Sequence, residues 1–193
     1  MSSSTRSIRE QLLLKSRLIT TDSFDWSADK SADNCLQYVG GVDISFVPGS
    51  PDQACACLVV LAYASLKVVY VQRRMVTLTQ PYISGFLGFR EVPFLAELID
   101  ELRENAPHHV PGVILVDGNG ILHHRGFGSA SHLGVVCDIP TIGIGKKLLA
   151  IDGLDEREMR ARVLAECHGA DSLPLVGLSG TVCLRYMCAR GGR

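Results

Sequence analysis

The sequence predicts an α/β fold built on a mixed sheet, in which an antiparallel meander is followed by helix and strand units and flanked by helices. Three observations carry this. Three β-rich runs lie between residues 37 and 78 with only short links, which favours an antiparallel meander. The periodicity after them changes to that of an amphipathic helix. That helix leads into an apolar run, Gly112 to Asp117, of the kind that fills a parallel sheet after a crossover. The 193 residues, 47% of them hydrophobic, suffice for one real core and fall short of two full domains.

In chain order, residues 1–34 are polar and read as an N-terminal arm, with Ile8, Leu12, Leu13 and Leu18 as the apolar side of a short helix. The main domain is expected over residues 35–182. Its first run, Gln37 to Val47, is cut off by Pro48-Gly49-Ser50-Pro51. Ala54 to Ala64 is small and branched throughout, and Val68, Val69, Tyr70, Val71 and Val76 dominate Lys67 to Leu78. Pro93 is expected to open a helix whose inner stripe is Phe94, Leu95, Leu98, Ile99 and Leu102, with Glu97, Asp100, Glu101 and Arg103 toward water. Gly112 to Asp117 is expected to be a fully buried strand. A Gly-rich loop, Gly118 to Ser131, precedes a helix starting in Ser131 to Val136 and a short strand at Pro140 to Ile144. Glu156 to Cys167 reads as a charged helix with Met159, Val163 and Leu164 inward, and one more strand is expected around Thr181 to Leu184. Residues 183–193 form a divergent tail.

Composition excludes several classes. With 19 Lys and Arg against 20 Asp and Glu the net charge is −1, so global disorder, a basic arm and an acidic tail are ruled out, and any nucleic-acid surface is local. The 7 cysteines are odd in number and contain no C-x-x-C, as expected of a reduced intracellular protein. Met1 to Lys15 has no signal-like apolar core, and the longest uncharged apolar stretch, Ala54 to Leu66, falls short of the roughly 18 residues of a membrane span. A soluble protein with no membrane partner is expected.

The acids are the first candidates for chemistry. Asp43 stands in Val42-Asp43-Ile44 and Asp117 in Val116-Asp117-Gly118, each within or at the end of an apolar strand, where an ionised group needs a partner, a metal or a shifted pKa. If the two strands are neighbours, the carboxylates converge on one sheet edge and suit a hard cation such as Mg²⁺, with Glu91 at the start of the amphipathic helix over the same edge. Three carboxylates there fit a two-metal phosphodiester hydrolase. Against this, an Asp before Gly is also an ordinary turn former and a Glu at a helix start an ordinary dipole partner. Both readings stand on spacing alone. Gly118-Asn119-Gly120-Ile121-Leu122-His123 lacks the third glycine of a dinucleotide fingerprint, Gly145-Lys146-Lys147 lacks the rest of a phosphate loop, and His123, His124 and His132 have no zinc-like spacing. Arg73, Arg74, His123, His124, Arg125, Lys146 and Lys147 form a positive set, read either as phosphate contacts or as solvated strand and loop charges. Tyr82 is either a stacking aromatic or a loop anchor in the core.

Four segments in order over residues about 35 to 150 resemble the endonuclease V family, and specifically its mammalian branch. They are Val39-Gly40-Gly41-Val42-Asp43, the run from Pro81 to Glu91, the run from Val116 to Arg125, and the run from Ile139 to Lys147. The resemblance implies an RNase H-like fold and Mg²⁺-dependent hydrolysis, with Mn²⁺ as a substitute, of the second phosphodiester bond 3′ to inosine. Single-stranded RNA is the implied substrate, with deoxyinosine DNA beside it. It makes Asp43 and Asp117 the metal ligands, Glu91 the further active-site acid, Lys146 a cation at the reacting phosphate and His123 an assisting group. Pro81, Tyr82 and Ile83 match the family's base-separating wedge. Gly85, Leu87, Gly118 and Gly128 match positions whose backbone reads the hypoxanthine edge, as a tight pocket for a flipped base requires.

The likeness fades after Gly180-Thr181-Val182, where members of the family continue into a further strand and a C-terminal helix, so the sequence resembles a C-terminally shortened variant. A second function follows from this: a weakly active or inactive form that binds inosine-containing nucleic acid, or a protein partner through sheet surface left uncovered. Cytoplasmic and nuclear or nucleolar localisation is implied by the resemblance alone.

Overall fold

The computed structural model describes residues 3–22, 24–166, 172–180 and 182–187. Helix α1 covers Ser3–Lys15. Three antiparallel strands follow: β1 (Tyr38–Val47), β2 (Ser50–Ala62) and β3 (Lys67–Thr77). Next come α2 (Leu87–Asn105), a single 3₁₀ turn at Pro107–His109, β4 (Val113–Asp117), α3 (Ser129–Cys137), β5 (Thr141–Ile144), α4 (Glu156–Glu166) and a hairpin of β6 (Ser172–Val176) and β7 (Val182–Met187). The main sheet has the order β3-β2-β1-β4-β5, with β4 parallel to β1 and β5 parallel to β4. A parallel neighbour needs a crossover, and α2 and α3 provide the two.

Both crossover helices lie on one face. Val42 and Ile44 of β1, Ala54, Ala56, Leu58 and Val60 of β2, Val76 of β3, and Ile114 and Val116 of β4 pack there against Val92, Leu95, Leu98, Ile99 and Leu102 of α2 and Leu133 and Cys137 of α3. The alternation of buried and half-buried residues along β2 is that of a strand with one covered face. On the opposite face Val71, Met75, Leu115, Ile142 and Ile144 are exposed. Leu115 therefore departs from the fully buried strand expected at Gly112 to Asp117.

Several boundaries differ from the sequence reading. Only Pro48 and Gly49 separate β1 from β2, because Gly49 adopts φ +79° and closes a two-residue hairpin. Helix α2 begins at Leu87, with Pro93 inside it. A proline interrupts a helix at the cost of one backbone bond, and here burial of the stripe from Val92 to Leu102 outweighs that loss. Leu164 of α4 is 85% exposed while Met159 and Val163 are buried, so it lies outside the expected inner stripe. The strand expected around Thr181 has a partner the sequence reading lacked, Ser172–Val176. The parts of those expectations that fall on Cys167, Thr181 and residues 188–193 lie outside the described residues.

Leu98 is fully buried between α2 and the sheet. Leu98→Ala is expected to lower the unfolding free energy by about 2–5 kcal/mol in urea titration, whereas Leu164→Ala is expected to change it by less than about 0.5 kcal/mol. Equal effects would contradict this packing.

Candidate active site

Strands β1 and β4 are parallel and in register, with Val42 beside Val116, so the next residues along, Asp43 and Asp117, stand side by side. Alternation decides which way they turn. Val42, Ile44, Ile114 and Val116 are buried under α2 and α3, so Asp43 and Asp117 belong to the open face. Asp43 is exposed, with Ser45 Oγ donating to its Oδ2 at 3.1 Å, and Asp117 is half-buried. The expectation that Asp43 sits in a mostly buried environment therefore fails, because its strand is covered on one side only.

The burial cost falls on Glu91 instead. In the second turn of α2 and 8% exposed, its carboxyl is pushed up to about 7, first by burial, then by the negative charges of Asp117 and Asp43, with Arg90 and Lys146 opposing. The three acids are thus within electrostatic reach of one another.

Lys146 enters from the loop after β5, which is registered on β4 with Ile144 beside Asp117. Its Nζ lies 2.6 Å from Asp117 Oδ2, and that partnership holds the ammonium above its usual pKa. The cross-strand row continues through Cys57 on β2 to Arg73 on β3, which brings a second exposed cation onto the open face. Arg74 turns the other way and pairs with Glu97 and Glu101 of α2, a structural role rather than a phosphate contact.

The donor set tests whether a metal fits. Asp43, Asp117 and Glu91 offer oxygen alone, the chemistry a hard divalent cation prefers, and the Lys146 ammonium already sits against the carboxylate such an ion would use. Among the described residues no three His, Cys, Asp or Glu side chains converge as a ready chelate. An ion held here would take its remaining ligands from water or a substrate phosphate, which suits Mg²⁺.

A second cluster lies beside this edge. Pro81, Tyr82 and Ile83 form an exposed loop with no regular structure, and Tyr82 is 68% exposed, so it is not a core anchor. The loop turns at Gly85, where φ is +79° and a Cβ would lie 2.7 Å from the Arg125 guanidinium, and Leu87 then starts α2 half-buried. Gly118 follows Asp117 directly, and Gly128, before α3, passes so close to Asn119 that a Cβ would lie 2.2 Å from its carbonyl oxygen. Any side chain at 128 would push the two ends of this loop apart.

His123 belongs to this cluster. Its imidazole is lowered to about 4 by burial, then by Arg125 and His124. The neutral ring accepts the Arg125 backbone N–H at Nδ1, 3.2 Å away, so its own proton is on Nε2. His132, also about 4 through burial, packs edge-on to Phe89 and is a core residue.

Two residues escaped the sequence reading. Gln11 of α1, 3% exposed, reaches both loops, whereas a lone glutamine in a charged helix carries no signal of that. Arg90, also buried, donates from Nη2 to the Pro51 carbonyl at 2.8 Å and stacks over Phe46, tying the β1–β2 hairpin to α2 beside Glu91. Only its place next to Glu91 hinted at this.

The sequence model of the family described as Endonuclease V matches residues 22–177. Human Endonuclease V is 54% identical over 176 residues, which are 90% of this chain and 62% of the human protein. Endonuclease V of Rippkaea orientalis is 40% identical over 136 residues, 70% of this chain and 53% of that protein. The chain thus spans less than two thirds of the length of either relative. Among solved structures, the catalytic domain of human Endonuclease V superposes with a TM-score of 0.86 at 52% identity, covering 94% of this chain and 75% of that one. Endonuclease V of Ciona intestinalis, crystallised with a 23mer DNA containing an inosine followed by a ribo-adenosine, gives a TM-score of 0.84 at 32% identity, with 97% and 78% covered.

The raised Glu91 carboxyl has a direct consequence for stability. Because the folded state holds that proton more tightly than the unfolded chain, the contribution is full below the ordinary value of 4.5 and is lost as pH rises through about 7. In buffer free of divalent ions, Glu91→Gln is expected to match the parent near pH 4.5 and to exceed it by up to about 3 kcal/mol at pH 8 in urea titrations. A difference independent of pH would contradict this.

Proposed function

The chain belongs to the endonuclease V family, and on that premise we propose that it is an inosine-specific endonuclease. The reaction is hydrolysis of the second phosphodiester bond 3′ to inosine in single-stranded RNA, with deoxyinosine DNA as a further substrate. The observation that carries the proposal is the carboxylate pair Asp43 and Asp117 on adjacent parallel strands, with Glu91 and Lys146 against it and the exposed Tyr82 loop beside it. The inosine-containing DNA crystallised with the Ciona relative supports the substrate class.

Asp43 and Asp117 would hold a Mg²⁺ ion, or Mn²⁺ in its place, with Glu91 as the further acid beside them. When bound, the cation lowers the pKa of a coordinated water and offsets charge on the phosphate as the bond breaks. Glu91, beside the aspartate pair, takes up the proton that the attacking water releases. Lys146 exchanges Asp117 for the phosphate as charge develops there. His123, neutral and protonated on Nε2, assists by hydrogen-bonding the Gly85 backbone without adding charge.

Recognition falls to the second cluster. Tyr82, with Pro81 and Ile83, enters the base stack, since an exposed ring on a loop can replace a base as stacking partner. The extruded hypoxanthine is read by backbone groups of Gly85, Leu87, Gly118 and Gly128, as an edge-on match in a tight pocket requires. Arg73 and the exposed Lys147 contact the phosphate backbone, a local positive surface on a chain of net charge −1.

A 5′-labelled single-stranded RNA with one inosine, incubated with Mg²⁺, is expected to be cut one nucleotide beyond the inosine, while the all-adenosine control stays intact. Asp43→Asn and Asp117→Asn are expected to slow the cut by about 100-fold or more while both remain folded. Inosine-dependent binding without cleavage by the parent would replace the enzyme with a binding protein.

A further inference from the structure

Helix α1 is joined to both recognition loops by one buried side chain. Gln11 Nε2 donates to the carbonyl oxygens of Gly85, at 3.1 Å, and Phe127, at 2.9 Å, and Gln11 Oε1 accepts from Arg125 Nε. Both halves of the amide are therefore used, at 3% exposure, across sequence separations of 74 and 116 residues. Arg125 completes the knot by donating from Nη2 to the same Gly85 carbonyl while its guanidinium lies 4.2 Å from the centre of the Phe86 ring. Lys15, one turn further along α1, donates to the Arg125 carbonyl at 2.6 Å. Gly85 ends the Tyr82 loop, and Phe127 immediately precedes Gly128.

We infer that Gln11 is a positioning residue for the base pocket: it sets the separation of the Tyr82–Gly85 loop from the Phe127–Gly128 segment and thereby sets discrimination for inosine. The inference rests on the pocket proposed above. The physical reason is directional. A primary amide is the smallest uncharged group that donates twice and accepts once, and the three groups it meets are two carbonyls and a guanidinium. The Phe127 bond is buried and the Gly85 bond partly so, and both carbonyls lose a well-shielded donor if the loops drift apart. Neither loop has regular structure of its own to hold that spacing. Helix α1 thus belongs to the recognition apparatus even though Leu12 and Leu13, its expected apolar side, are exposed.

Two variants test this in the full chain. Gln11→Glu keeps the acceptor for Arg125 and removes both donors, and Gln11→Met keeps the volume and removes all three bonds. Both are expected to melt cooperatively, to bind inosine RNA about tenfold more weakly with adenosine RNA unchanged, and to keep kcat at saturation within about twofold. In hydrogen exchange the Phe86 and Gly128 amides, which bond to Ile83 and Gly120, are expected to exchange about tenfold faster, with β1 and β4 unchanged. Unchanged discrimination and exchange in folded variants would overturn the inference. So would failure to fold, or parallel loss of binding to both RNAs, since either marks a merely structural role. A parent that does not distinguish inosine from adenosine overturns the inosine reading, while the exchange measurement still decides whether Gln11 straps the loops.

Discussion

Asp43 and Asp117 carry like charges and lie next to each other because β1 and β4 are parallel and in register, and the same field reaches Glu91 inside α2. Folding has to hold these groups together against their repulsion and, for Glu91, against desolvation. Other features of this sheet edge act to offset that cost. Lys146 neutralises one carboxylate, Ser45 donates to another, and Glu91 is held near its neutral form. A divalent cation answers the same repulsion with chemistry attached, so the geometry that is costly in the protein alone becomes useful once the ion and a phosphate arrive.

The sheet splits the work between its faces. One face is filled by α2 and α3 and supplies the rigid core from which Glu91 projects. The other carries the two aspartates, Arg73 and exposed apolar side chains such as Ile142 and Ile144. The irregular loops at the same end, to which we assign recognition, are held from a distance by Gln11 and Arg125. Rigid strands position the carboxylates, where small displacements matter most, and hydrogen-bonded loops carry Tyr82 and the glycines.

Much of this was legible in the sequence because it depends on period and order. The meander and the parallel strand after the crossover helix follow from alternation and from a change of periodicity, and the pairing of Asp43 with Asp117 follows once those strands are neighbours. The helix start at Leu87 was hidden because Pro93 looks like a first residue, although tertiary burial carries the helix through it. Which acid bears the burial was also hidden. Asp43, between two buried residues, is exposed by alternation, while Glu91, at a seemingly open helix start, is covered. Gln11 could not be found at all, since two of its partners are backbone carbonyls, which leave no mark on a sequence, and the third, Arg125, lies 114 residues away.

Whether Asp43 and Asp117 form a site for a hard divalent cation is decided by diffraction from crystals grown with Mn²⁺. An anomalous manganese peak is expected against the carboxylates of both residues, with the Lys146 ammonium displaced from Asp117. A map with the Lys146–Asp117 ion pair intact and no manganese there, at concentrations that saturate other divalent sites, would contradict it.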